Sequence, residues 1–320
     1  MRVLITGGGG FLGVKLAKAL AKKGEIRGRE ITHMTQADLF APEPVKADFE
    51  VEGVALDIGD RASVDAAFAA KPDAVFHLAA VVSGQAEAEF DIGLRVNLHG
   101  TLNILEAARH AGNQPIVVFT SSVAVYGGEI PDVIDDFTIL NPQTSYGAQK
   151  AATEMMLTDY SRKGFIDGRG LRLPTVTVRP GKPNAAASSF MSSIFREPLQ
   201  GESANCPVSE DYPIWFSAPR TVVANLVHAA EPPAEAWGEN RCLALPGLTN
   251  TVREMVEAMT NVAGSNAAGL ITWNPDPFVQ KICDGWRAHL KPEKALRLGF
   301  HQDKSFEDNI RWFIEDDIRR

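Results

Sequence analysis

The sequence predicts an α/β protein in which a doubly wound parallel sheet is joined to a smaller C-terminal lobe, and three observations carry that prediction. Residues 2 to 13, Arg-Val-Leu-Ile-Thr-Gly-Gly-Gly-Gly-Phe-Leu-Gly, break a buried-strand pattern into glycines and then into a helical period. Strand-like and helix-like periods alternate over the first 180 residues, as parallel strands joined by crossover helices require. After Pro180 the texture changes to Gly, Pro, Ser and Asn with short apolar pieces. The expected division is residues 1–180 and 181–320, interleaved because no low-complexity linker separates them.

The first strand, Val3–Thr6, is apolar enough to be buried on both faces. Gly7, Gly10 and Gly13 follow in the spacing G-x-x-G-x-x-G. Gly7 permits a tight turn, Gly10 lets backbone N–H groups reach a phosphate, and Gly13 lets the next helix lie close to its strand. That helix, Phe11–Lys23, turns Leu12, Leu16, Ala19 and Leu20 inward. Its opening residues Phe11 and Leu12 are counted with the glycines as a pyrophosphate cradle. Further strands are expected at Ile31–Thr35, Gly53–Leu56, Ala74–Leu78, Ile116–Ser121 and Leu171–Val178. Helices are expected near Ala62–Ala69, Phe90–Ala111 and Tyr146–Lys163. In such a sheet the ligand crevice lies at the carboxyl ends of the strands, where the winding reverses. Beyond Pro180 the expected helices are Ser188–Arg196, Arg220–Ala230, Val252–Val262 and Val279–Leu290, with a strand around Cys242–Leu245. The tail Ser305–Asp317 reads as a closing helix with Phe306, Ile310 and Phe313 on one face.

Charge and composition exclude several classes. Forty acidic against 32 basic residues give a net charge of -8, with no basic cluster to offset nucleic-acid phosphates. No apolar window approaches a membrane span and no basic leader precedes the first strand, so neither membrane nor secretion is expected. Cys206, Cys242 and Cys283 are odd in number, widely spaced and in no C-x-x-C spacing, which suits a reducing cytoplasmic setting. His77 has no second ligand at metal-binding spacing, and no metal is expected.

Tyr146-Gly147-Ala148-Gln149-Lys150 puts a phenol and an ammonium on one helical face, one turn apart. A phenol of pKa about 10 is a poor base at neutrality, and a nearby cation favours its ionised form. Ile116 to Ser122 is a buried strand ending in hydroxyls, which face the crevice. With these residues in place the chain resembles the extended short-chain dehydrogenase/reductase family, which uses a Rossmann fold and includes nucleotide-sugar epimerases and dehydratases. The resemblance spans essentially the whole chain. It rests on Thr6-Gly7-x-x-Gly10-x-x-Gly13, Phe76-His77-Leu78-Ala79-Ala80, Asn97 with Gly100-Thr101-Leu102-Asn103, Ser121-Ser122 before Val125-Tyr126-Gly127, Tyr146-x-x-x-Lys150, and Val178-Arg179-Pro180.

The resemblance implies that Tyr146 is the general base and that Lys150 tunes it and bonds the nicotinamide ribose. Ser122 matches the serine that orients the substrate hydroxyl, with Ser121 and Thr120 as neighbouring alternatives. Asn97 is either a relay residue or a structural one. Asp38 would accept the adenosine ribose hydroxyls and repel a 2′-phosphate, favouring NAD over NADP; its plain alternative is a cap or turn residue. Asp57 and Ile58 match an adenine-contacting pair, while Asp57 can also cap the helix that follows. Leu78, Ala79 and Ala80 let the cofactor lie against a strand end, and Pro180 with Gly181 and Lys182 borders the nicotinamide. The family further implies a homodimer through Phe90–Ala111 and Tyr146–Lys163.

The variable lobe resembles the branch of the family that acts on small sugar acids, through Arg179 to Phe190 and Trp215-Phe216-Ser217-Ala218-Pro219-Arg220. An acid substrate needs a cationic or hydroxyl-rich clamp, for which Arg220, Ser83 and Ser188, with Ser189, are candidates. Arg220 has a plain alternative as a surface ion pair at a helix start. The expected reaction is NAD-dependent oxidation of the C2 hydroxyl of a four-carbon aldonic acid to the 2-keto acid. The alternative is an epimerase or dehydratase of nucleotide sugars that retains its NAD.

Overall fold

The structure, a computed structural model, describes residues 1–182, 187–283 and 285–318. Its centre is a seven-stranded parallel sheet made of β1 (Arg2–Thr6), β2 (His33–Asp38), β3 (Glu50–Ala55), β4 (Ala74–His77), β5 (Ile116–Ser122), β6 (Asp167–Leu173) and β7 (Cys242–Ala244). In space they run β7-β6-β5-β4-β1-β2-β3, every pairing parallel. The chain passes from β1 to β2 and β3 on one side, then returns to the other side of β1 with β4. The winding therefore reverses between β1 and β4, and the crevice of the expected doubly wound sheet opens there.

Helices cover both faces because both faces of the sheet are apolar. On one, Leu16 and Leu20 of α1 (Phe11–Lys23) pack with Val3, Ile5 and Val118. On the other, Val64 and Phe68 of α2 (Arg61–Phe68), Ile104 and Leu105 of α3 (Thr101–Ala111) and Leu157 of α4 (Ser145–Arg162) pack with Leu4, Val75 and Val117. A fifth helix, α5 (Pro219–Ala229), joins the first face through Val222 and Leu226. The helical run expected over Phe90–Ala111 is continuous but opens into a π-helical turn at Leu94–Gly100.

Several boundaries differ from expectation for identifiable reasons. The second strand runs to Asp38 rather than Thr35, since Gln36, Ala37 and Asp38 keep pairing with β3 and, up to Ala37, with β1. The strand expected over Leu171–Val178 divides at Pro174, which has no N–H for the ladder. Thr175–Val176 leaves the large sheet to pair with Pro213–Ser217, which pairs in turn with Leu248–Thr251. The Cys242–Leu245 strand is not in the small lobe: Cys242–Ala244 adds to the large sheet beside β6. The helix expected over Val279–Leu290 spans only Pro277–Cys283, and His289–Lys291 pairs as a strand with Val133–Asp135. Residues 183–186 of the loop that carries the sugar-acid resemblance, and Asp284, lie outside the described residues.

The small lobe has its own core, in which Phe306 meets Phe195 and Phe216 edge-on at centroid distances of 4.8 and 5.2 Å. The closing helix, Phe306–Phe313, starts at a Ser305 cap whose hydroxyl accepts from the Asp308 N–H. No helix among the described residues is long and apolar enough to cross a membrane.

Candidate active site

At the end of β1 the glycines are required by their surroundings. Gly7 has φ +72°, and a Cβ there would lie 2.7 Å from the Ala79 backbone nitrogen. A Cβ on Gly13 would lie 2.1 Å from the Gly7 oxygen, so any side chain would drive α1 off the strand. Gly10 begins α1 without a side-chain cap, which leaves the first-turn amides of Phe11 and Leu12 to an outside acceptor. Asp38 closes the same end: its carboxylate accepts from the Gly9 N–H at 2.9 Å and the Leu39 N–H at 2.8 Å. The extension of β2 brings this acid beside the glycine loop, where a ribose next to the pyrophosphate would lie. An uncapped helix start, a Cβ-free cradle and an adjoining acid fit a dinucleotide.

On the other side of the reversal point, the Leu78 N–H donates to the Thr6 oxygen, so Leu78 and Ala79 lie against the glycine turn and Ala80 reaches solvent. His77 is fixed between hydroxyls, with Nδ1 2.6 Å from Thr6 Oγ1 and Nε2 3.0 Å from Thr101 Oγ1. Burial, aided by the Lys150 charge, pulls its pKa down to about 3, so the ring is neutral. Asn97 is fully buried and its side chain is committed: Oδ1 accepts from Val81 N–H at 2.9 Å, and Nδ2 donates to Gln149 Oε1 at 2.9 Å and to the Val81 oxygen. It ties the loop after β4 to α4. Asp57 accepts from Gly59 N–H and pairs with Arg95 at 2.9 Å; against its burial, these contacts hold its carboxyl below the usual value. Ile58 is buried in the core, where a Cβ on Gly100 would meet it.

Three consecutive residues end β5, and the structure separates them. Thr120 Oγ1 donates to the His77 oxygen at 3.1 Å, and Ser121 Oγ donates to Glu154 Oε1 at 2.5 Å. Ser122 is the one of the three whose hydroxyl bears on the Tyr146 phenol, where it favours the ionised form, while its Oγ accepts from Ala124 N–H. Lys150 is almost wholly buried, donates to the Thr120 oxygen at 2.8 Å, and lies 4.7 Å from the Phe119 ring centroid and 5.7 Å from that of Tyr146.

Electrostatics correct one expectation. The phenol was expected to be acidified by its ammonium neighbour, but burial pushes Tyr146 up to about 12, with the Ser122 hydrogen bond opposing. Burial also pulls Lys150 down to about 7, opposed by Glu154. Desolvation of each charged form outweighs the help that Ser122 gives the phenolate and Glu154 gives the ammonium. Tyr146 therefore stands as a protonated phenol.

Sequence reasoning missed Glu154, one turn beyond Lys150, and Arg172 on β6. Arg172 grips the buried Glu154 carboxylate at 2.7 Å and donates to Tyr126 Oη at 2.6 Å. The pair locks Ser121, and so the end of β5, to α4. The extension of the Tyr146–Lys150 spacing by one further turn was the available signal. Leu173, in register with Ser122, is also closer along the chain to the crevice than the half-buried Pro180.

The substrate candidates are not gathered in the same way. Ser83 opens the helix Ser83–Ala88, two residues past the Val81 that Asn97 holds. Ser188 sits in a single 3-10 turn, Ala187–Ser189. Arg220 overturns the clamp reading: it bonds Asp316 at 2.7 and 2.9 Å and Glu315 at 2.9 Å, and lies over the Trp312 ring. Its charge is already matched by two carboxylates, which would repel a third.

This arrangement has counterparts in known proteins. The chain is 51% identical to a D-erythronate dehydrogenase of Cupriavidus necator, over 99% of this chain and 98% of that one. It is 42% identical to a D-erythronate dehydrogenase of Haemophilus influenzae, over 99% of this chain and 100% of that one. Among solved structures, the nucleoside-diphosphate-sugar epimerase of Agrobacterium tumefaciens superposes with a TM-score of 0.95 at 44% identity, covering 99% of this chain and 94% of that one. Residues 3–214 match the NAD dependent epimerase/dehydratase family, and the chain, with its Rossmann-type sheet, belongs to that family.

Proposed function

We propose that this protein is an NAD-dependent dehydrogenase that oxidises the C2 hydroxyl of a D-erythronate-like sugar acid and releases the 2-keto acid. The observation that carries the reading is the selection of Ser122 from the three hydroxyls of β5. Thr120 and Ser121 are engaged by His77 and Glu154, which leaves Ser122 as the hydroxyl that bears on Tyr146, on a helix whose next turn carries Lys150, at the edge where the glycine cradle opens. The relatives named D-erythronate dehydrogenase support the substrate class.

In this reading Gly7, Gly10, Gly13, Phe11 and Leu12 hold the pyrophosphate, and Asp38 takes the ribose hydroxyls and selects NAD. The bound nicotinamide supplies the hydride acceptor. Ser122 orients the substrate hydroxyl towards Tyr146 Oη, which takes its proton once the phenol has released its own to solvent. Lys150, held by the Thr120 oxygen, presents its charge beneath the phenol and supports the ionised form in the transition state. Asn97 keeps the loop after β4 in place. A homodimer fits the exposed Phe90 and Met155 on the two helical segments expected to pair, and light scattering of Met155→Glu would test it.

A second reading, a nucleotide-sugar epimerase that keeps its cofactor, is favoured by the 44% identical epimerase structure. The two are separated by absorbance at 340 nm with aldonic acids and nucleoside-diphosphate sugars as substrates. Stoichiometric NADH from an aldonic acid supports the dehydrogenase. Conversion of a nucleotide sugar without net NADH, together with no response to aldonic acids, overturns it.

A further inference from the structure

The correction at Arg220 leaves an acid substrate without a cation, and the small lobe contains one. Among the described residues, each buried or half-buried arginine other than Arg179 has a carboxylate at ion-pair distance, as Arg169 has Asp167, Arg172 has Glu154, Arg196 has Glu197 and Arg220 has Asp316. Arg179 is half-buried and has none. Its Nη2 donates to the Ser188 oxygen at 3.1 Å and its Nε to Ser192 Oγ at 3.4 Å, so the side chain is oriented by neutral groups. Its backbone is fixed on both sides: its N–H donates to Ser192 Oγ at 3.1 Å, and its oxygen accepts from Arg196 Nη1 at 3.0 Å. Burial, and the like charge of Arg196, lower its pKa from the usual guanidinium value. A guanidinium remains charged under such pressure, so an anion placed against it would be stabilised.

Its place in the chain is suited to the site. Leu173 is the register partner of Ser122 at the carboxyl edge of the sheet. The chain leaves the sheet there, and six extended residues span at most about 20 Å. Arg179 therefore lies within that reach of the catalytic edge, and Ser188, already singled out for substrate contact, is the residue whose oxygen orients it. The Nη1 group and the remaining hydrogen of Nη2 form the planar fork that matches a carboxylate.

We infer that Arg179 is the carboxylate-recognising residue of the substrate site, holding the C1 carboxylate of the sugar acid while the C2 hydroxyl lies at Ser122 and Tyr146. This rests on the sugar-acid reading above.

The test is steady-state kinetics of wild type, Arg179→Met and Arg179→Lys with NAD and D-erythronate, with NAD affinity and thermal midpoint measured alongside. Loss of a charge-assisted pair predicts a KM for the acid about 100-fold higher in Arg179→Met. The lysine variant, which keeps the charge without the fork, recovers about tenfold of that loss. NAD affinity stays within about twofold, as expected of a group that does not touch the cofactor. An unchanged KM for the acid, or a loss that falls equally on NAD, overturns the role of Arg179. If Arg179→Met does not fold, Arg179→Lys alone decides, because an acid KM equal to wild type also overturns it. Absence of any aldonate oxidation by the wild type is a different outcome, and it overturns the functional reading on which this inference rests.

Discussion

Two arginines, the buried Arg172 at the edge of the large sheet and the half-buried Arg179 in the small lobe, have opposite surroundings. Arg172 enters from β6 and finds Glu154 on α4, Ser121 on β5 and Tyr126 beyond it, all brought together by strand register and one helix. Its charge is neutralised inside the fold. Arg179 lies only seven residues later, past the Pro174 break, and meets a carbonyl and a serine hydroxyl. Arg220, in the first turn of α5, is quenched by acids that lie 95 and 96 residues further along the chain. The contrast separates charges that build the scaffold from a charge left for something else. A buried pair is weak evidence of net stability but costly to break.

The comparison can be broken most decisively at the edge. Tyr146→Phe removes the proton acceptor and should lower kcat by about 10³-fold or more while leaving NAD affinity nearly unchanged. Activity comparable to wild type in a stopped-flow NADH assay would take the phenol out of the mechanism. Glu154→Gln leaves Arg172 charged in the interior without its partner, for which a loss of about 3–5 kcal/mol is expected. A thermal midpoint indistinguishable from wild type would show that the pair is not the lock described here. Asp38→Ala should weaken NAD about tenfold and narrow the preference over NADP. Titration with both cofactors decides, and an unchanged ratio would assign ribose recognition elsewhere.

Smaller effects sharpen the picture. His77 is neutral in the folded protein with a pKa near 3, against an ordinary 6.5. The unfolded chain therefore binds the extra proton first, and stability present above pH 6.5 is lost as pH falls towards 3. Thermal midpoints at pH 7 and 4.5 should show a smaller acid-induced drop in His77→Gln than in wild type; equal drops would locate the sensitivity elsewhere. Arg220→Ala, which removes a partly exposed ion pair, should cost about 1 kcal/mol or less and leave the KM for the acid unchanged. A large rise in that KM would restore Arg220 as the clamp and remove the contrast with Arg179.

Much of the fold was legible because its signals are local. The step from Ile5 to Gly7, the helix that begins at Phe11 and the hydroxyl-ended strand through Ser122 each depend on residues adjacent in sequence. The Tyr146–Lys150 pair needed only helical spacing. The choice of Ser122 was readable from motif order, yet the reason for it was not: Thr120 and Ser121 are excluded because His77 and Glu154 already engage them. Arg220 misled because a cation at a helix start looks the same with or without two acids from the far end of the chain. Pro174 was visible, but that the strand would change sheets there depends on Pro213–Ser217 waiting to receive it.

By itself, the sequence determined the parallel sheet, the glycine cradle, and the phenol and ammonium on one helical face, because periodicity and glycine sterics act over a few residues. The tertiary structure decided which hydroxyl meets the phenol, how far burial shifts Tyr146, Lys150 and His77, and which arginines are already paired. Those outcomes depend on desolvation and on partners distant in sequence, and neither exists until the chain has folded.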